Sequence, residues 1–180
     1  MSSSTDLAEL VEDVWRDSHN HIKGSGVFQT FFVVSKDNLN IVCAPWNDEK
    51  TKFIVCAFIR KMIKEQKADR YVLLSEAWLK KLSKEDGKMM GERTEHLIAI
   101  GASISGEMIF RRAPIVKNDK NERVLDEAKT DSGVVGDGTH EGMLGELLTD
   151  KHDEIFDQII EALGPSLDLM AQQRKDIDNA

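Results

Sequence analysis

The chain has 180 residues, of which 41% are hydrophobic and 31% are charged, and this balance excludes collagen-like, mucin-like and membrane-embedded proteins. Its length suits one domain with an ordinary hydrophobic core, built without disulfides or a structural metal. The net charge of −8 opposes the phosphate backbone of nucleic acids, so nucleic acid is not an expected partner.

Charge distribution and cysteine usage narrow the range of partners and the cellular compartment. Residues 131 to 180 hold 12 acidic and 3 basic side chains, which predicts either a solvated face or a negative surface for a basic partner. Cys43 and Cys56 lie in apolar runs without a C-x-x-C neighbour, which favours free thiols in a reducing compartment. The first residues lack the pattern of a signal peptide, and no apolar run approaches a membrane span. We therefore expect a cytoplasmic protein outside the membrane.

The first predicted element is an amphipathic helix from about Asp6 to Ser18. Its apolar residues recur at the spacing of one helical stripe, namely Leu7, Leu10, Val11, Val14 and Trp15. Asp6 and Glu9 have the spacing of a capping box, which would satisfy free backbone N–H groups at the start of the helix.

A β-hairpin and a second helix follow. The runs 27–34 and 39–44 are rich in β-branched and aromatic residues and flank good turn chemistry at 36–38, which predicts two strands joined by a tight turn. From about Asp48 to Gln66, apolar residues again fall on one stripe with charges opposite, which predicts a helix.

The second half of the core is predicted to be mainly strands. The segment 70–79 has apolar residues on both parities, as in a central strand that is buried on two faces. A loop is predicted at 83–94, then a hairpin from 97–104 and 108–116, and a short strand at 123–125. Pro114 favours an edge position for its strand, because proline cannot donate to a ladder.

Residues 129–145 are rich in glycine and predict a loop. A helix from about Ile155 to Leu163 follows, ended by Gly164 and Pro165. The fold class is α+β, with a mainly antiparallel sheet of about five strands and helices packed on one face. We divide the chain into a core domain at 1–128, a glycine-rich loop at 129–150, and C-terminal helices at 151–180 that pack on the core and end in a frayed acidic segment.

Glu76 is the first candidate for chemistry. Alternation along its strand places it beside Val72, Leu74 and Trp78, on an otherwise apolar face. A carboxylate in such a place is paired with a cation or has a raised pKa. Arg111 and Arg112 are the candidate partners. The functional interpretations are a general base, with the arginines in its site, or an anchor for a polar ligand; the structural ones are an ion pair or a strand end that reaches solvent.

Asp137, His140 and Glu141 form the second candidate. Their spacing would bring them to one side of a helical turn, and histidine and carboxylates bind divalent metals. The surrounding glycines favour a loop instead, and no H-E-x-x-H motif accompanies them. The sequence predicts no organic cofactor.

Trp46 is the third candidate, as a contact for a protein partner. It follows Pro45 in a loop, and of the three tryptophans it is the one expected to be exposed; tryptophan is a frequent hot spot of interfaces.

Two functions from different classes fit these observations. The first is a small cytoplasmic binding or regulatory module that acts through protein partners or forms a homodimer, using a sheet edge, the Trp46 region or the acidic C-terminal third. The alternative is a divalent-metal-dependent hydrolase that uses Glu76 or the Asp137, His140 and Glu141 group.

Overall fold

The computed structural model describes residues 6–23, 26–36, 38–82, 89–135, 147–148 and 154–162. Within these ranges the chain forms three α-helices and seven strands. In chain order they are α1 (Leu7–Ile22), β1 (Thr30–Ser35), β2 (Asn38–Cys43), α2 (Glu49–Gln66), β3 (Arg70–Leu82), β4 (Met89–Ser103), β5 (Met108–Lys117), β6 (Arg123–Leu125), β7 (Asp131–Val135) and α3 (154–162). A short 3-10 turn, Glu127–Lys129, separates β6 from β7.

The strands pair in the order β2-β1-β3-β4-β5, and both β6 and β7 pair with β5. Every pairing is antiparallel. The predicted α+β class is therefore confirmed. The sheet in the described part of the chain has seven strands rather than about five, because the short strands β6 and β7 both pair with β5.

The helices lie on both faces of this sheet, so the prediction that they pack on one face needs correction. On β3, Tyr71 and Leu73 belong to a buried cluster that includes residues of α2. Their neighbours Val72 and Leu74 belong to a second cluster that includes residues of α1. Because successive side chains of a strand point to opposite faces, the apolar residues on both parities of β3 need a helix on each side.

The two long helices each bury an apolar stripe against the sheet, and they differ in the hydrogen bonds at their N-termini. In α1 the whole predicted stripe is buried, and the helix continues past Ser18 to Ile22. Asp6 makes no side-chain capping bond there, so the predicted capping box is absent. At the start of α2, the Asp48 carboxylate accepts the Thr51 backbone N–H at 2.7 Å, while the Thr51 hydroxyl accepts the Asp48 N–H.

Two segments with the composition of loops contribute strands. In the predicted loop at 83–94, β4 begins at Met89. In the glycine-rich segment, Asp131–Val135 pairs with β5 as β7. A Cβ on Gly133 would lie 3.1 Å from Cε1 of Phe110, so the glycine lets β7 pass close to this ring. Glycine content is therefore a misleading signal at this position.

Candidate functional site

Glu76 lies on the α1 face of β3, and both of its carboxylate oxygens have protein partners. Oε1 accepts the backbone N–H of Val27 at 2.7 Å, and Oε2 accepts a hydrogen bond from the Arg123 guanidinium at 2.7 Å. The same guanidinium lies 3.0 Å from Glu95 on β4. The Glu76 side chain is 18% exposed. A charge-assisted pair at this depth fixes the carboxylate in place.

This cluster joins three strands and the segment before β1. The hydrogen bond to Glu76 raises the pKa of Arg123; burial opposes this shift, and the charges of Glu76 and Glu95 add to it. Gly26 packs against the pair with a φ of +92°, a backbone conformation that glycine adopts readily. The geometry is that of a structural ion pair, which is one of the structural interpretations of Glu76.

Arg111 and Arg112 are not the partners of Glu76, so this prediction was wrong. The Arg111 guanidinium lies 4.9 Å from the centre of the Trp15 ring and pairs with Glu12 of α1. Arg112 bonds Asp131 of β7 at 2.6 Å. Both arginines lie on β5, and their guanidinium groups pair with the acidic side chains of α1 and β7. The partner of Glu76 is Arg123 of β6, the short strand that pairs with β5.

Trp46 is half-buried rather than exposed. Its ring centre lies 6.2 Å from that of Phe31, and it packs against the core cluster beneath α2. It also borders an open groove of about 240 Å³ between the start of α2 and the sheet, whose walls include Lys52 and Ile100. The exposed tryptophan is Trp78, at 63%.

The residues Asp137, His140 and Glu141 lie outside the residues that the structure describes. Among the described residues, no group of three or more His, Cys, Asp or Glu side chains is placed to hold a metal ion. None of the helices in the described ranges combines the length and apolar character needed to cross a membrane.

The outer edge of β2 is a feature that the sequence analysis did not single out. β2 pairs with β1 on one side, and no described strand pairs with its other side. Leu39 and Ile41 are 52% and 58% exposed, and Cys43 is also exposed. The strand Asn-Leu-Asn-Ile-Val-Cys carries no charged side chain and no proline. Charged residues and proline are the usual means by which edge strands resist pairing with other chains, so this edge lacks that protection.

Comparison of the chain with protein-family models, with curated proteins and with solved structures finds no match.

Proposed function

We propose that the protein is a small binding module that takes an extended protein segment onto the outer edge of β2. The observation that carries this proposal is the combination on one strand of unpaired backbone groups, exposed aliphatic side chains and an absence of charge. In β-strand addition, main-chain hydrogen bonds supply affinity and alternate side chains supply specificity.

The side chains on one face of β2 suit an apolar partner segment. Ile41 lies opposite Phe32, and Leu39 lies opposite Val34. Phe32 and Val34 are partly buried against the α1 cluster. The exposed aliphatic row of β2 therefore continues the hydrophobic surface of the core outward to the sheet edge, where a further strand would cover it.

The two cysteines support a reducing compartment, and we place the protein in the cytoplasm. Both are free, with Cys43 exposed and Cys56 buried. Burial raises the pKa of the Cys56 thiol to about 11, which keeps it protonated and unreactive. An exposed free thiol such as Cys43 persists where thiols are kept reduced.

The hydrolase alternative receives less support from this geometry. Both oxygens of Glu76 are engaged by structural partners and the side chain is only 18% exposed, whereas a general base must lie within hydrogen-bond reach of its substrate. The alternative then rests on Asp137, His140 and Glu141. Calorimetric titration with Mg²⁺, Mn²⁺ and Zn²⁺ tests it: heat of binding with one of these ions would support the alternative, and no heat with any of them would count against it.

The binding proposal is tested by panning phage-displayed random peptides against the immobilised protein. Three versions are compared: the wild type, Ile41→Lys, and Ile104→Lys as a matched control. Ile104 is 69% exposed in the turn after β4, so the same chemical change is made away from β2. We expect uncharged peptides of alternating pattern to bind the wild type and the control, and to lose binding to Ile41→Lys.

Two outcomes contradict the proposal. One is that no peptide is enriched on the wild type. The other is that the enriched peptides bind Ile41→Lys as well as they bind the wild type, which would move the binding site to another surface. Circular dichroism of all three proteins checks that each is folded.

A further inference from the structure

The alternation of hydrogen bonds shows which groups β2 presents to solvent. The N–H of Ala44 donates to the carbonyl of Gln29 at 2.8 Å, one position beyond the paired residues Cys43 and Thr30. In an antiparallel ladder, hydrogen-bonded and non-hydrogen-bonded pairs alternate along the strand. The even positions of β2 therefore bond β1, and the backbone N–H and C=O groups of Leu39, Ile41 and Cys43 point outward.

The same three residues also have exposed side chains. Leu39, Ile41 and Cys43 occupy alternate positions and so share the face of the sheet on which α1 packs. Along the outer edge, each of these residues therefore presents outward backbone groups together with an exposed side chain that is aliphatic or a thiol. A strand of the same pattern would match this edge in both respects.

We propose that the occupant of this edge is β2 of a second copy of the chain, paired antiparallel across a two-fold axis with Ile41 opposite Ile41. This inference rests on the proposed function, because it names the segment that the edge takes. Two copies that each carry a net charge of −8 repel one another generally, but they meet here along a strand without charged side chains.

The register follows from the outward groups. With Ile41 on the axis, Leu39 lies opposite Cys43 of the second copy, and all outward groups of β2 meet outward groups of its partner. A shift by one residue sets Asn40 opposite Ile41. The backbone groups of Asn40 already bond β1 and cannot meet the outward groups of Ile41, and the aliphatic side chains of the two copies then lie on opposite faces of the joined sheet. A shift by two residues, with Asn40 on the axis, leaves Cys43 opposite a residue beyond the strand.

Pairing of β2 with the other edge of a second copy would produce a different assembly. A head-to-tail contact between β2 and β7 is heterologous, and it grows into an open fibre unless the rotation closes a ring. The two-fold pairing instead uses the same edge twice and stops at two chains. The size of the assembly therefore distinguishes the two arrangements.

Sedimentation velocity across a concentration series tests the occupant, again with the wild type, Ile41→Lys and Ile104→Lys. We expect the wild type and the control to reach twice the chain mass of 20.3 kDa. Ile41→Lys would place two like charges opposite each other, which weakens dimerisation about tenfold or more. A wild type that stays monomeric, a mass that keeps rising, or equal dimerisation of both variants overturns the inference.

Cross-linking tests whether Ile41 lies near the two-fold axis. In a Cys43→Ser background, Ile41→Cys is treated with a short bismaleimide, and Ile104→Cys in the same background is the control. We expect a covalent dimer from the first protein and monomer from the second; equal yields from both would overturn this placement of Ile41. If the wild type is monomeric while peptides still bind its β2 edge, only this inference fails; if peptides also fail to bind, the proposed function fails with it.

Discussion

The two edges of the sheet are built in opposite ways. At the β2 edge, no described strand covers the outward backbone groups and no charged side chain lies on the strand. At the far edge, β6 and β7 divide the outer side of β5 between them. Between these two short strands, the carbonyl of Pro114 accepts the N–H of Asp126. Short strands, proline and charge are established ways to close an edge, and here they occur together on one side of the sheet.

Ion pairs reinforce the closed edge. Arg123 of β6 reaches Glu76 and Glu95, and Arg112 of β5 reaches Asp131 of β7. If the open edge takes a partner strand, the two edges should respond to different changes. We expect the closed edge to respond to removal of these charged side chains, and the open edge to respond to the concentration of a partner strand.

The largest expected effect comes from breaking the Arg123 cluster. Arg123→Met keeps most of the side-chain volume but leaves the carboxylate of Glu76 with little solvent and one hydrogen bond. We expect the free energy of unfolding to fall by about 2 to 3 kcal/mol, measured by urea denaturation.

Arg112→Met is the matched control for that change. The Arg112 and Asp131 side chains are each about half exposed, and surface pairs of this kind contribute at most about 1 kcal/mol. If the two substitutions cost the same, the distinction between a structural cluster and a surface pair at the closed edge is wrong.

Gly26→Ala probes the same cluster through the backbone. A Cβ at this position would lie 3.0 Å from Nη1 of Arg123 and 3.1 Å from Oε1 of Glu76. We expect a loss of about 1 to 2 kcal/mol in the free energy of unfolding. Gly106 also has a positive φ, but a Cβ there would meet nothing within 4 Å. Gly106→Ala should therefore cost less, and an equal or greater cost would contradict the role given to Gly26.

Lowering the pH should weaken the contacts around the 3-10 turn beside the closed edge. Burial tends to raise the pKa of Glu127, but hydrogen bonds from Thr130 and His19, together with the nearby charges, lower it overall. A carboxyl whose pKa is lower in the folded state stabilises the fold above its unfolded pKa, and that contribution is lost as pH falls through the folded value.

The corresponding experiment compares Glu127→Gln with the wild type below about pH 4.5. Because Glu127 is nearly half exposed, we expect the variant to remove less than about 1 kcal/mol of pH-dependent stability. The exposed Glu107→Gln serves as a control. An unchanged pH profile in Glu127→Gln would contradict the assignment.

The smallest expected effect on stability is at the open edge. In dilute solution, Ile41→Lys should change the free energy of unfolding by less than about 0.5 kcal/mol, because the side chain is already largely in solvent. Thermal denaturation at low protein concentration measures this. A larger loss would mean that Ile41 supports the fold itself rather than binding at its edge.

Local pattern is sufficient to predict much of the fold. The stripes of α1 and α2 and the hairpin of β1 and β2 are visible because neighbouring positions in sequence share a face or a turn. Apolar residues on both parities of β3 also indicate burial on two faces. The strand at Asp131–Val135 escapes prediction because its pairing with β5 is distant in sequence and its glycine content suggests a loop.

The candidate site shows the same limit. The cost of burying a bare carboxylate predicts an arginine partner for Glu76, but the choice among arginines depends on which strand lies beside β5. That partner is Arg123, on a strand of only three residues. The predicted exposure of the tryptophans is also wrong, because Trp78 is exposed and Trp46 is half-buried. Burial of an aromatic residue depends on which distant elements cover it.

Amide hydrogen exchange of β2, resolved by residue and repeated at low and high protein concentration, tests the central claim most directly. In dilute solution the amides of Leu39, Ile41 and Cys43 should exchange faster than those of Asn40 and Val42, and they should become protected as concentration rises. Equal exchange at all five positions, or protection that does not depend on concentration, would contradict an open edge that pairs with a second copy.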